Sequence, residues 1–562
     1  MKNNNHKPEE KNKGNRFDRF RNSFLNLLGK LLKHRKPISI GYLIVITCLA
    51  IMAITFIGRD VFPKVNVNQF QLRVRAPEGT RMEQTEKIAL KVLDEINGLA
   101  GKGHVAITSA MIGMHPTQYS VTPIYLFMAG SHEAVFQVAL KDIHPDMDDF
   151  KDELRKRIHT KIPDLKLSFE PIDLTTKILS QGATTPIEVR VSGTNKKNNA
   201  QYAERLVDSL KSIPYLRDVQ IAQSYQYPAL NIDIDRTKAA QLGVDMNDIS
   251  RSLIASTSSS RYTEKNMWVD EKSGQAYNVQ VQIPTADMNQ MSDISQIPLL
   301  NNQTRPILGD VASLTKTTTN GENDDIGTLP YLSVTANIDH NDLGDASKDV
   351  QKVINSLGNP PRGLFVEQTG LGTVLSETLS SLEGGLFVAI VVIFLMLSAN
   401  FQSFKVPLSI LAAIPAVILG SLILLLLTGS TLNLQSYMGI IMSVGVSIAN
   451  AVLLVTNAEQ IRKKTGDALE AAKEAAALRI RPIIMTAVAM VVGMLPMAIG
   501  HGDGGEQAAP LGRAVIGGLL FSTIAVLVIL PLVYSWIQNK ASIQSVSLFP
   551  DDEQSKYFDN HK

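Results

Sequence analysis

The sequence predicts an α-helical membrane bundle of six spans joined to a large α+β extramembrane segment. Three observations predict it: six apolar runs of bilayer length, a segment of about 320 residues in which strand and helix periodicities alternate, and a sided distribution of charge. A bilayer core needs about 20 apolar residues per helix. The 562-residue chain supplies such runs at roughly 38–57, 382–399, 406–428, 437–455, 482–499 and 514–537. The first run starts late, is too long and lacks a small-residue cleavage pattern, so it reads as a retained span rather than a signal peptide.

Charge orients the bundle. Residues 1–36 hold eleven Lys and Arg against Glu9, Glu10 and Asp18, which keeps segment 1–37 in the cytoplasm by the positive-inside rule. Lys405 lies between the second and third runs; Arg462, Lys463, Lys464, Lys473, Arg479 and Arg481 lie between the fourth and fifth, so both connections read as cytoplasmic loops. GHGDGGEQAAPLG, after the fifth run, carries two acids and no Lys or Arg and reads as an external turn. Six spans return the tail, 538–562, to the cytoplasm. The single cysteine, Cys48, lies in the first run, which excludes an intrachain disulfide.

The external segment repeats a strand, helix, strand pattern. In NQFQLRVRAPEGTRMEQTEKIALKVLDEI, Phe70, Leu72 and Val74 share one strand face, Thr80 with Glu83 predicts a capping box, and Ile88, Val92 and Ile96 form the inner face of a helix. AVFQVALKD followed by Phe150, Leu154 and Ile158, PIEVRVSG followed by Tyr202, Leu206 and Leu210, and YLSVTANID followed by Val350, Val353 and Ile354 repeat it. These passes predict two ferredoxin-like α+β units, 58–185 and 186–234 with 328–370. Segment 235–327, with Ser-rich turns such as SLIASTSSS, reads as an inserted domain, and 382–537 holds the five remaining spans.

Polar residues in the fourth run are ordered. Ser436, Gly439, Ser443, Ser447, Asn450 and Asn457 recur at helical spacing, so one face is polar while Ile, Val and Leu cover the others. Small and hydroxyl residues also serve as packing notches between membrane helices, and that reading stays open for the serines. Met111 and Met114 flank Gly113, and thioether sulfur suits Cu(I). Without a further ligand cluster they read as core or pocket lining; with Tyr119, Tyr125 and Phe127 they are the candidate border of a substrate path. Gly493 and Pro496 predict a bend in the fifth span. No phosphate loop, zinc spacing or nucleophile triad is present in the sequence.

The order of RAPEGTRMEQTE, DIDRTKAAQLGVDMNDI, GVSIANAVLLV and RIRPIIMTAVAMVVGMLP resembles the resistance-nodulation-division (RND) efflux transporters of multidrug type, over nearly the whole chain and only in their C-terminal half. The resemblance implies a secondary active transporter component in the bacterial inner membrane, not an enzyme, that exports amphiphilic compounds by proton antiport without a cofactor or resident metal. It also implies a porter role for the two external units, a docking role for the insertion, a homotrimer, a periplasmic adaptor, an outer-membrane channel and a complementary N-terminal half. By that pattern Ser447 and Asn450 face aspartates of the other half, and Arg479 and Thr486 complete a proton relay. Ala449 stands where the drug-pump branch has a lysine. Two other readings stay open: an inactive truncated remnant or assembly module of such a pump, and a SecD-type protein-export accessory.

Overall fold

A computed structural model describes residues 16–63, 68–101, 103–113, 128–141, 147–172, 174–180, 182–264, 266–284, 287–299, 305–501, 505–539 and 541. Among them are six helices long and apolar enough to cross a membrane: Arg35–Phe56, Leu371–Phe401, Lys405–Leu427, Leu434–Thr465, Ala468–Ile499 and Gly505–Ile537, here spans 1 to 6.

The helices outrun the apolar runs. The connection expected as a cytoplasmic loop between spans 4 and 5 is helical except for Gly466 and Asp467. Gly466 ends span 4 at φ +79, and the Asp467 carboxylate accepts a hydrogen bond from the Leu469 N–H to start span 5. The intervening stretch is helical because it is alanine-rich, and Ala468, Ala471, Ala472, Ala475 and Ala476 are all buried. Span 5 continues through Pro496 to Ile499. Span 6 contains a π turn at Ala525–Ile529 immediately before Pro531, whose ring nitrogen has no hydrogen to give the preceding turn.

Spans 3, 4 and 6 form the packed centre, and glycine sets their approach. A Cβ on Gly420 of span 3 would overlap the Gly517 carbonyl of span 6, and one on Gly517 would overlap the Gly420 carbonyl. At Gly439 of span 4 a Cβ would come within 2.7 Å of the Leu511 carbonyl oxygen. Backbones this close gain dispersion contact where no hydrophobic effect acts between helices.

The first α+β unit comprises β1 (Gln69–Arg75), a helix over Met82–Ala100, β2 (Val105–Ile112), β3 (Glu133–Leu140), a helix over Met147–Lys161 and β4 (Lys166–Glu170). The antiparallel sheet has the order β2-β3-β1-β4. Phe70, Leu72, Val74, Val92, Ile96, Phe136, Leu154 and Ile158 fill its core, as the periodicity predicts. The capping box does not form: the Thr80 hydroxyl donates to the Pro77 carbonyl inside a turn that holds Gly79 at φ +84, and the helix begins beyond it, with Arg81 as its N-cap.

The second unit begins with β5 (Ile187–Gly193), a helix over Lys196–Leu210 and β6 (Leu216–Ile221). The chain leaves along β7 (Tyr227–Ile234), forms a hairpin of β8 (Asn266–Val269) and β9 (Ala276–Val279), and returns along β10 (Ala312–Thr319). After β11 (Asp324–Ile326) it re-enters as β12 (Leu329–Ile338), a helix over Leu343–Ser356 and β13 (Leu364–Gly370). β12 and β5 lie centrally, β13 flanks β5, and β6 and β11 share the other edge of β12. The insertion's stem starts at Tyr227, because β7 pairs along its whole length with β10. Its small core is Val244, Ile249, Ile297, Leu299, Leu308 and Val311.

Two connections join this unit to the bundle. β13 runs directly into span 2 at Leu371. At the end of span 1, the Arg59 N–H donates to the Asp342 carboxylate at 3.0 Å, the Leu343 N–H donates to Asp60 at 3.0 Å, and Arg59 bridges Leu432 ahead of span 4.

The glycine contact yields a test. Gly420→Leu is expected to destabilise the bundle by about 1–3 kcal/mol through overpacking, whereas Gly384→Leu in span 2, whose Cβ would meet nothing within 4 Å, leaves the melting temperature in detergent unchanged or raised. Equal melting temperatures for the Gly420→Leu and unmodified chains would contradict the packing described.

Candidate functional site

The alternation that makes β1 an amphipathic strand sends Phe70, Leu72 and Val74 to the core and Gln71, Arg73 and Arg75 to the opposite face. That face is covered too: Gln71 is 0% and Arg73 5% exposed, because the sheet's outer face turns toward the second unit. Buried charge has to be paired. Arg73 donates through Nε to Glu170 and through Nη1 to Glu133 at 2.9 Å, Arg75 Nε lies 2.7 Å from Glu133, and Gln71 donates to Glu170 at 2.6 Å. From the facing unit, Arg190 and Ser333 both donate to Glu188, at 2.9 and 2.6 Å, and Gln223 donates to Asp324 at 2.7 Å.

Between these groups lies a cleft of about 550 Å³, lined from the first unit by Arg73, Arg75, Glu133 and Glu170, from the second by Glu188, Arg190, Tyr331 and Ser333, and by Glu322 and Asp324 at the insertion's return. The carboxylates differ. Burial works against the charge on Glu133, but Arg75 and Arg73 outweigh it and hold the acid below its ordinary range. Glu322 is pushed up to about 7, by burial first and by the neighbouring Asp324 second. It is therefore poised to exchange a proton near neutrality, whereas Glu133 stays ionised.

None of these cleft residues was singled out in the sequence. The available signal was the R-V-R of β1, whose arginines read as an ordinary solvated strand face until the second sheet covers them. Of the expected substrate path, Met111 sits half-buried on edge strand β2, paired with Val135 of β3, and is not among the residues that line the cleft. Met114, Tyr119, Tyr125 and Phe127 lie outside the described residues. Among the described residues no group of three or more His, Cys, Asp or Glu is arranged to hold a metal ion.

In the membrane, the polar stripe of span 4 divides into parts with different partners. Ser436 belongs to the helix cap: its N–H donates to the Asn433 side chain and its hydroxyl accepts from the Asn433 N–H. Ser443 donates to the Gly439 carbonyl at 2.8 Å and packs on Gly518 of span 6. Both serve packing. Ser447 is buried with its Oγ unpartnered, and Asn450, one turn further, is half-buried with no side-chain hydrogen bond among the described residues. On span 5, Arg479 is half-buried with Nε unpartnered, and the Thr486 hydroxyl donates to the Ile483 carbonyl at 3.0 Å. Arg479 stands eleven residues inside its helix rather than at the end, because span 5 begins at Ala468. No hydrogen bond joins these four side chains to one another among the described residues.

The bundle's ionisable groups flank this region. Tyr437 donates to Glu383 of span 2 at 2.7 Å. Toward the other end of span 4, Glu459 pairs with Arg462 at 2.9 Å and accepts from Tyr534 at 2.9 Å. Between Ser443 and Asn450, span 4 carries no ionisable side chain.

Comparison with known proteins gives this arrangement its context. The chain is 25% identical over 522 residues to the swarming motility protein SwrC of Bacillus subtilis, covering 92% of this chain and 47% of that one. It is 27% identical over 388 residues to the cobalt-zinc-cadmium resistance protein CzcA of Cupriavidus metallidurans, covering 68% of this chain and 36% of the relative. The chain thus spans about half or less of the length of these relatives. Crystal structures of a heavy metal efflux pump share its fold, with TM-scores of 0.78 and 0.79 at 24% identity, over 93% and 92% of this chain and 53% and 52% of the pump. A family model described as AcrB/AcrD/AcrF matches residues 1–538. A match of that extent makes the chain a membrane protein of the AcrB/AcrD/AcrF family, with the RND permease fold.

Proposed function

We propose that the chain is the C-terminal half of a proton-driven RND efflux permease in the bacterial inner membrane, with residues 59–380 in the periplasm. The carrying observation is the uncovered flank of the bundle. Only 11% of the apolar window of span 2 and 6% of that of span 5 is buried, against 50–67% for spans 4 and 6. That flank includes Thr486, and Asn450 and Arg479 are only half-buried, polar groups that are costly to leave to lipid. A complementary half that supplies acids there would give the proton a site whose affinity differs between two conformations, which coupling requires. Two ferredoxin-like porter subdomains would then work a trimeric assembly with a periplasmic adaptor and an outer-membrane channel. The insertion, whose exposed Trp268 and Tyr277 stand on the β8–β9 hairpin, would contribute to docking.

The cargo reading follows from the cleft. Charged groups of both signs line it, which disfavours the amphiphile expected from the resemblance, and Glu322 and Asp324, in no ion pair among the described residues, give it a preference for a small hydrophilic cation. A cation arriving beside Glu322 and Asp324 replaces the proton held on Glu322. The cobalt, zinc and cadmium in the name of the CzcA relative belong to the same class of cargo.

Three outcomes are expected. In liposomes the isolated chain gives no pH-gradient-driven transport; together with a complementary half carrying intramembrane aspartates it exports zinc or cobalt ions in preference to a fluorescent amphiphile, and gradient-driven export by the chain alone would refute the half-permease reading. Asn450→Leu abolishes export in the assembled pump while expression and assembly persist; if the residue served packing only, the loss would be about 0.6 kcal/mol and activity would remain.

The third outcome is a pH dependence. The folded-state pKa of Glu322 lies above its unfolded value near 4.5, so its contribution to stability is full below about 4.5 and lost as pH rises through about 7. Glu322→Gln should therefore melt progressively higher than the unmodified chain as pH is raised from 5 to 8. A constant difference across that window would exclude the raised carboxyl.

A further inference from the structure

The helix Arg16–Lys33 lies ahead of span 1, separated from it by a break at His34, and carries three stripes of different character. Leu28 and Leu32 are 0% and 1% exposed and pack on Ala476 of span 5 and Leu532 of span 6, which seats the helix against the basic end of the bundle. Beside that buried stripe, Phe20 and Leu27, seven residues apart and so on one face, are 53% and 54% exposed. Next to them, Arg19, Ser23, Asn26 and Lys30 recur at helical spacing, all exposed. An apolar strip left open along a helix already docked on the bundle has no protein to cover it among the described residues. Span 1 continues the uncovered surface with exposed Ile40, Ile44 and Val45.

From this arrangement we infer that the helix is an anionic-phospholipid binding surface. Phe20 and Leu27 enter the acyl boundary of the leaflet at the basic end of the bundle, and Arg19 and Lys30 hold its phosphate headgroups. Charge complementarity selects this occupant. Lys33, Lys36, Lys463, Lys464 and Lys473 crowd the same end, and an anionic headgroup layer neutralises them, whereas a zwitterionic one does not. The long basic side chains reach the phosphates while their stems lie along apolar surface. The inference stands apart from the transport reading, because it needs only that the bundle be in a bilayer.

The test uses the full chain. Purified in neutral detergent, it is titrated with phosphatidylglycerol, with phosphatidylcholine and with soluble glycerol phosphate, and binding is read from the melting temperature. Phosphatidylglycerol is expected to stabilise, and the other two to have no comparable effect. Arg19→Gln with Lys30→Gln should weaken the apparent affinity at least tenfold, from roughly fivefold per neutralised charge. The exposed pair Lys238→Gln with Lys272→Gln, on the insertion, should change nothing. A fluorescent label on Phe20→Cys in a Cys48→Ser chain should be quenched by nitroxide-bearing phosphatidylglycerol in nanodiscs, a readout that does not depend on stability. Equal stabilisation by phosphatidylcholine, an effect of glycerol phosphate matching that of the lipid, unchanged affinity in the Arg19 and Lys30 variant, or an unquenched label would overturn the inference.

Discussion

The Arg73 guanidinium, buried between Glu133 and Glu170, is the contact on which the extramembrane architecture depends. A strand that buries both faces normally reads as apolar throughout, but β1 buries a charged face. Without Arg73, Glu170 would lose its arginine and Glu133 would keep only Arg75, and removing one partner of a buried pair costs about 3–5 kcal/mol. With it, the first sheet can turn its outer face to the second unit and still leave a polar cleft. The same constraint sorts two of the acids: Arg75 and Arg73 hold Glu133 below its ordinary range, and Glu322, buried beside Asp324, takes up a proton near neutrality.

The cleft is mechanically continuous with the membrane. β13 lies in the sheet that forms one wall of the cleft and passes without a linker into span 2. Asp60 and Asp342 tie the end of span 1 to the helix over Leu343–Ser356, and Arg59 bridges the approach to span 4. Glycine contacts lock spans 3, 4 and 6 together. Spans 2 and 5, by contrast, show most of their apolar length at the surface. Short hydrogen bonds and a direct strand-to-helix junction, rather than a flexible loop, thus join spans 1, 2 and 4 to the second unit.

Much of this was legible in the residues. Apolar run length marked the spans, because a bilayer leaves a helix no other way to satisfy its backbone. Alternation marked the strands, and the inner faces of the external helices followed from spacing alone. Errors arose where a local signal had a competing partner. Thr80 looked like a cap but is taken by the Pro77 carbonyl, and Ser436, one of the residues of the polar stripe, closes a cap with Asn433. Arg479 looked terminal because charge suggested a loop, whereas the surrounding alanines extend the helix.

By itself, then, the sequence determined the membrane bundle, its sidedness of charge and the repeated α+β units, since each rests on periodicities set by neighbours along the chain. Only the tertiary structure decided that Arg73, Glu133, Glu170 and Glu188 meet across a cleft, that Glu322 is poised near neutrality, and that Ser443 packs while Ser447 lacks a partner. These outcomes turn on burial and on charges far apart in sequence. Arg73 and Glu170 are 97 residues apart, and no local pattern records whether a strand's polar face will meet water or another sheet.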